Sequence, residues 1–560
     1  MGGVVSLICV QQNKTQVDDK GTQLKKELGL WSLVGLGVGG IIGSGIFGLI
    51  AAYGADAGPA LTLAIVFVGI IMTMLALVYA ELGSRFPLTG GPYSIPRLAL
   101  GNSAGYLVGW GYFLYAFTGT AAIIDVFVTY AGFYVPGLAV GLTLTPVGIG
   151  VALAALGVFT IINVMGVKWG GLFGIVTTVT KLIPLILFAG VGLVYLNFSN
   201  FAPFMPSGWT GIAVAMALAV FMFTGFEAVV IPSGEVKNPT KTIPRAMIIT
   251  MAVVVLVYVV IGIAFVGMIN WSGLGMNVGD WSYSTGIGSL SSPLSDVANA
   301  AGYGLLAAVI TIGAVISTAG AGSDWVLYQG RIPFAMAKDG LFPRVMGRVN
   351  GKYGTPAVSI AFAALLTGII QILFPFFPDV VLLASITTLI PYAAASVSLA
   401  VLRKSPKLGN PEHFRLPAGV AVAFLGFVLS SVLIYWATWP LTLVGAVLTL
   451  LGFPLYLFAK NKKMEWRRQA WFWVYVAGLT AISFVGDTNF ITSGVLPVVG
   501  PLGYVPMPYD LVVVALFASL IFLWAYKANV GKTVEDEDVV GRKQFERPQS
   551  TGTPMLGVMQ

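Results

Sequence analysis

The chain is predicted to be an all-α integral membrane protein of about fourteen transmembrane helices. Three observations predict this: charged residues are scarce, apolar runs of membrane-spanning length recur along the chain, and basic residues gather at alternate ends of those runs. Charged residues make up 9% of the 560 residues and hydrophobic ones 57%, with a mean hydropathy of +0.89. A soluble domain carries about 25% charged residues. A soluble fold of this size could not bury so much apolar surface, so lipid is the expected solvent for most of the chain.

Crossing the hydrocarbon core takes about 20 apolar residues. Such runs lie near 31–53, 60–84, 103–131, 146–165, 172–196, 209–232, 244–269, 297–328, 355–374, 379–402, 417–436, 438–459, 469–486 and 509–527, and are numbered here as spans 1 to 14. With the N-terminus inside, 29 of the 30 Lys and Arg residues fall in cytoplasmic segments and none in an external loop. Basic residues are retained on that side of a membrane. The net charge of +8 is therefore topological and not a nucleic-acid footprint. A multi-pass protein of the plasma membrane with both termini cytoplasmic is expected.

Residues 1–28 read as a cytoplasmic segment with no signal-peptide core, so span 1 is expected to stay in the mature protein. The external segments carry acids, among them Asp56, Asp280, Asp379 and Asp487. The longest, 270–296, is rich in Gly and Ser and reads as an extracellular flap; Asn197 and Asn270 open sequons on that side. The polar tail 528–560, with acids at 535–538, is expected to be disordered.

Cys9 and His413 are alone of their types, which excludes a disulfide framework and a zinc or haem site built on them. The chain has no Walker motif and no Ser/His/Asp set, so neither ATP hydrolysis nor enzyme chemistry is expected, and no cofactor or metal.

Span 1 holds glycines at 35, 37, 39, 40, 43, 45 and 48. Small residues allow close helix packing in lipid, but Gly43-Ser44-Gly45 puts three poor helix formers together at mid-span. Unwound backbone at that depth survives only where it lines a cavity. Span 6 has a mid-span glycine, Gly225, followed by Phe226 and Glu227. Span 1 starts inside and span 6 outside, so the two interrupted helices are related by inversion, a pointer to a transport site. A half-helix starting after Gly43 would present free N–H groups to a carboxylate. Unwound carbonyls around Phe221 to Thr224 would face an ammonium group. Together they would hold a zwitterionic amino acid. Interrupted inverted helices imply an occluded site rather than a continuous pore.

Several stretches, in order, resemble the amino acid–polyamine–organocation (APC) superfamily: GIIGSGIF at 40–47, YAELGSRFP at 79–87 with GGPY at 90–93, GYLVGW at 105–110, NVMGVK at 163–168, FTGFE at 223–227 with GEVKNP at 234–239, and GRIPFAMAKDGLFP at 330–343. The likeness covers about residues 24–460. It implies a five-plus-five inverted-repeat, leucine-transporter-like core over 29–402, with repeats at about 29–196 and 209–402. Four additional helices would follow at 403–527. By motif position, amides near Gly43, Ser44 and Gly45 would take the substrate carboxylate, and carbonyls of Ile41, Phe221 and Thr224 its amine. Phe221 falls where related permeases carry a gating aromatic, and Phe223 opens the FTGFE stretch two residues later. Tyr115 stands where the cationic branch often has an acid, which favours a neutral substrate, although Asp125 lies further along the same span.

A charge inside the membrane marks a functional site. Lys181, the thirtieth basic residue, lies roughly nine residues into span 5, near mid-membrane. It matches a lysine of proton-coupled members that stands in for a sodium ion, so reversible deprotonation is expected of it. Glu227 is expected either to relay protons or to cap the interrupted backbone. Glu81 is expected to pair with Arg85. On span 8, Ser317, Thr318 and Ser323 are oxygen donors expected to face span 1. Most Trp and Tyr residues are assigned to the interfacial belts. The expected function is secondary active transport of a neutral amino acid with a proton, by alternating access. The alternatives are an exchanger, a polyamine carrier, or a nutrient receptor that binds without transport.

Overall fold

The computed structural model describes residues 28–87, 91–165, 170–405, 408–457, 465–486 and 501–531. The readings for the N-terminal lysines, Lys168, Lys460, Lys462, Lys463, Asp487 and the tail beyond 531 fall outside them. Helix occupies each of the fourteen apolar runs. Among the described residues nine helical stretches are long and apolar enough to cross a membrane, and four shorter apolar helices accompany them. The protein is a multi-pass, all-helical membrane protein.

Span 1 is two helices, α1 (Leu30–Ile41) and α2 (Ser44–Ala57). α3 (Leu61–Arg85) follows, then a short helix α4 (Gly91–Leu100) that no apolar run announced, then α5 (Asn102–Ala131). An antiparallel hairpin, β1 (Ala139–Val140) and β2 (Thr143–Leu144), leads into α6 (Pro146–Met165) and α7 (Gly170–Val194). Span 6 is α8 (Gly208–Phe223) with a 3-10 turn at Phe226–Val229, and α9 (Pro239–Met268) is next.

Span 8 departs from the sequence reading. Residues 293–300 are a separate short helix, α10 (Pro293–Ala300), and Gly302, at φ +91°, turns the chain into α11 (Gly304–Lys338). α11 runs ten residues past the predicted end, with Gly330 and Pro333 inside it, because Arg331 and Lys338 interrupt the apolar run without ending the helix. α12 (Ala357–Leu373), α13 (Phe377–Leu402), α14 (Gly419–Trp436), α15 (Leu441–Leu457), α16 (Trp466–Val485) and α17 (Tyr509–Asn529) complete the chain.

α13 and α5 lie at the centre, buried along nearly their whole length, with α11, α12 and α15 packed on α5. α14 and α17 pack outside α13. The central helices are apolar all round, as expected for helices that contact other helices on every face.

On the side assigned to the exterior, the hairpin and the α12–α13 junction share backbone bonds, Leu144 N–H to Pro375 O (2.9 Å) and Phe377 N–H to Leu142 O (2.9 Å). The 270–292 segment covers the end of α2: Trp281 is buried against Gly54, and the Tyr283 hydroxyl donates to Ala52 O at 3.3 Å. Asp379 is buried in the first turn of α13 rather than free in a loop. On the opposite side Lys237 N–H donates to Leu28 O (2.9 Å), and Arg97 pairs with Asp339 at 2.7 Å.

Glu81 does not pair with Arg85. Its carboxylate takes the guanidinium fork of Arg403 (Nε to Oε1, 2.8 Å) and the Leu416 N–H (2.7 Å), while Arg85 donates to Leu408 O at 3.0 Å. Residues four apart on one helix were the sequence-level guess. A fully buried carboxylate is better served by a bidentate partner and a backbone donor from elsewhere in the fold.

The belt assignment also fails for tyrosine. Ten of the 21 tyrosines have under 2% of their surface exposed, including Tyr53, Tyr79, Tyr115, Tyr258 and Tyr392. Several reach interior acceptors, which is where a buried phenol finds its hydrogen bond.

Candidate functional site

The site is built on two helix interruptions that touch. α1 ends with Ile42 N–H bonded to Val38 O at 2.9 Å; Ile42 is extended, Gly43 is neither helical nor extended, and α2 begins at Ser44. Gly45 is the position that needs to lack a side chain: a Cβ there would lie 2.7 Å from Met222 Cα of α8.

In span 6 the interruption lies later than Phe221 to Thr224. α8 continues through Phe223, and the chain turns at Thr224–Gly225, with Gly225 at φ +103°. Only glycine takes that conformation readily, so the turn falls on it. Gly225 also abuts Gly40: a Cβ on Gly40 would meet Gly225 O at 3.0 Å. Tyr258 of α9 ties the two breaks together, its hydroxyl lying 2.9 Å from Met222 O and 3.2 Å from Ile41 O.

The carboxylate-side groups lie at the start of α2. First-turn amides have no partner within their own helix. Ser44 is 2% exposed, and its Oγ has no hydrogen-bond partner among the described residues. On the amine side, Ile41 O is met by Tyr258, and Phe221 O accepts from Thr224 N–H (3.2 Å) and Thr224 Oγ1 (2.6 Å). Ile41 O keeps a second lone pair, whereas Phe221 O already takes two donors.

Phe221 and Tyr115 lie together over Gly119 of α5, and Tyr115 stands edge-on to Trp325 of α11 at 5.1 Å. Phe223 is not brought to this group. Two residues beyond Phe221, it points across the helix to Tyr258 (5.2 Å) and Gly69 of α3. Thr318 bonds its own helix at Ala314 O, and Ser323 meets Asn163 of α6 rather than span 1, because the helical turn carries it to the other face. Ser317 is buried, with no hydrogen-bond partner among the described residues.

Lys181 is 5% exposed, and its ammonium donates to Gly39 O in the last turn of α1. Asp324 of α11 is its electrostatic partner, an acid hidden in a span that the reading of the apolar runs passed over. Glu227 accepts three bonds: Tyr112 to Oε1 (3.2 Å), and Tyr392 (2.8 Å) and Gly225 N–H (3.2 Å) to Oε2. It thus holds the turned backbone of span 6 to α5 and α13. Tyr258, Tyr112 and Tyr392 were missed by sequence reasoning; their signal was a phenol in mid-span, where a belt residue does not sit. Among the described residues no group of three His, Cys, Asp or Glu side chains could hold a metal.

The amino acid permease family profile matches residues 28–479, and the chain belongs to that family, within the APC superfamily. It is 29% identical over 529 residues to the glutamate/serine transporter AimA of Bacillus subtilis (strain 168), covering 90% of this chain and 94% of that protein. It is 30% identical over 455 residues to the branched-chain amino acid permease BcaP of the same organism, covering 78% and 94%. To the aspartate-proton symporter of that organism it is 27% identical over 542 residues, covering 92% and 98%. The chain is a transporter of the amino acid permease kind, not an enzyme.

Proposed function

We propose that the protein is a proton-coupled permease of neutral amino acids, with the α-carboxylate bound at the start of α2. The observation that carries this is the buried, unpartnered Ser44 Oγ at the first turn of α2, beside the crossing of the two interrupted helices. The free N–H groups of that turn and the Ser44 hydroxyl are donors for a carboxylate. Ile41 and Thr224 offer carbonyl lone pairs to the amine, whereas Phe221 O is already taken by the two Thr224 donors. Tyr115 and Phe221 wall the space above Gly119 with apolar surface, which suits an uncharged side chain.

Lys181 and Glu227 are the proton-coupling residues in this reading. Lys181 fastens α7 to α1, so its charge bears on the half-helix that must move. The chain is read as fourteen spans in the plasma membrane, both termini cytoplasmic. Spans 1–10 form the five-plus-five core over 29–402, and four more follow over 403–527.

A specific observation favours an acidic substrate as the second reading: Lys181 lies next to the site, and relatives are named for glutamate and aspartate. Thermal shift of the purified protein against the twenty amino acids separates the two. A ligand at 100 times its Kd stabilises the folded state by about 2.7 kcal/mol. Stabilisation by leucine, valine or serine with none by aspartate or glutamate is expected; the reverse pattern selects the acidic reading, and no response overturns both.

A further inference from the structure

Asp125 and Gln371 meet between α5 and α12, two helices that do not carry the breaks. Asp125 lies on α5, six residues before its end at Ala131, and Gln371 on α12, two residues before Leu373. At about 1.5 Å per residue, Asp125 is ~9 Å below the external end of its helix in the proposed topology. Asp125 is 1% exposed and Gln371 0%. Its neighbours Ile124 and Val128 belong to an apolar cluster with Leu138, Leu156 and Ala364, so water does not solvate the carboxyl.

One hydrogen bond joins the pair: Gln371 Nε2 donates to Asp125 Oδ1 at 3.3 Å. The other two polar atoms, Asp125 Oδ2 and Gln371 Oε1, have no partner among the described residues. Both are acceptors, and they belong to two side chains already in register. A single proton on Oδ2 supplies the missing donor and turns the pair into a two-bonded acid–amide ring. Without that proton a buried carboxylate would rest on one long amide bond, which is costly.

Among the described residues no charged side chain acts on Asp125 in the proton's place. Of the helices packed on α5, α6, α12 and α15 carry no Asp, Glu, Lys, Arg or His. α2 brings Asp56, α4 Arg97, α13 Asp379, and α11 Asp324, Arg331 and Lys338, but none acts on Asp125, whose side-chain partner is Gln371. Arg97 is paired with Asp339, and Asp324 acts electrostatically on Lys181.

We propose that Asp125 and Gln371 form a proton-binding site near the external face, separate from Lys181, in which the Asp125 acid donates to Gln371 Oε1 and fastens α5 to α12. The proposal rests on the membrane topology read above and not on which substrate the permease carries. The bound ligand is a proton taken from the external solution.

Infrared difference spectra of the full-length protein in sodium-free proteoliposomes, recorded as the external pH is raised, test it. The wild type is expected to lose a carboxylic-acid C=O band. Asp125→Asn, which keeps the amide ring without the proton, loses no such band, and Lys181→Ala loses it as the wild type does. Should Asp125→Asn fail to fold, Gln371→Leu serves instead: the acid remains and its band moves to the frequency of an unbonded carboxyl. The same band loss in Asp125→Asn, or an unmoved band in Gln371→Leu, overturns the site. So does a carboxylate that is ionised throughout and responds to added sodium, which would make the ligand a metal cation. A failed substrate screen leaves these bands untouched, so the two readings fail separately.

Discussion

The ammonium of Lys181 donates to the carbonyl oxygen of Gly39, fastening α7 to the last turn of α1 just before that helix is interrupted. The carbonyl end of a helix carries partial negative charge, so the cation is favoured there. Loss of its proton would weaken the fastening and free the half-helix. Lys181→Ala is expected to abolish uptake driven by an imposed pH gradient in proteoliposomes, while counterflow exchange of labelled substrate persists. Full gradient-driven uptake by the variant would remove Lys181 from the coupling scheme.

Two glycines of span 1 make a matched pair of opposite expectation. A Cβ at Gly45 collides with the backbone of Met222, whereas one at Gly35 meets nothing within 4 Å. Gly45→Ala should destabilise by roughly 1–3 kcal/mol through overpacking and erase the substrate-induced thermal shift. Gly35→Ala should be neutral or stabilise by up to ~1 kcal/mol, because alanine has less backbone freedom to lose. Equal losses in the two would show that packing of α2 on α8 is not what Gly45 provides.

Glu227 is satisfied by three donors, two of them tyrosine hydroxyls. Removing one donor to a buried charged group costs about 1.5–3 kcal/mol. Tyr392→Phe is therefore expected to lower the melting temperature and slow uptake, since the hydroxyl joins α13 to the turned segment of span 6. In a Glu227→Gln background the same substitution should cost much less, and a double-mutant cycle reads the difference. Additive effects would mean that Tyr392 acts elsewhere.

Asp296, on the external α10, offers a pH test outside the membrane. Burial pushes its carboxyl up from 3.8 to about 6, against the opposing Ser292 N–H bond of 2.9 Å. The folded state therefore holds this proton more tightly than the unfolded chain. The stabilisation is complete below 3.8 and is lost as pH rises through about 6. The melting temperature of wild type minus that of Asp296→Asn should fall across that window and level off above it. The ceiling is roughly 3 kcal/mol for a shift of about two units, reduced by the residue's partial exposure. A difference that stays constant across the window would exclude the linkage.

The helical membrane architecture was legible because a lipid solvent leaves a composition that water does not tolerate, and the interruption near Gly43 because helix-poor residues in mid-span are conspicuous. The second interruption was read a few residues early. Gly225 was conspicuous as the mid-span glycine, but composition does not say on which side of it the helix unwinds, and the φ of +103° that fixes the turn is a tertiary fact. Pairings were the least legible. Glu81 and Arg403 are 322 residues apart, and Gln371 and Asp125 are 246 apart, so no local spacing announces them. Phe221 and Phe223 are two residues apart but lie on different faces, which only the observed helix through Phe223 reveals.

The contact of Gly40 with Gly225 has a consequence for anyone reshaping this protein. Backbone meets backbone at that seam, so a side chain introduced on either strand displaces the other, and the two breaks cannot drift apart independently in a mutant library. Diversity aimed at new cargo belongs on the walls contributed by Tyr115, Phe221 and Trp325, where a change of shape leaves the seam shut.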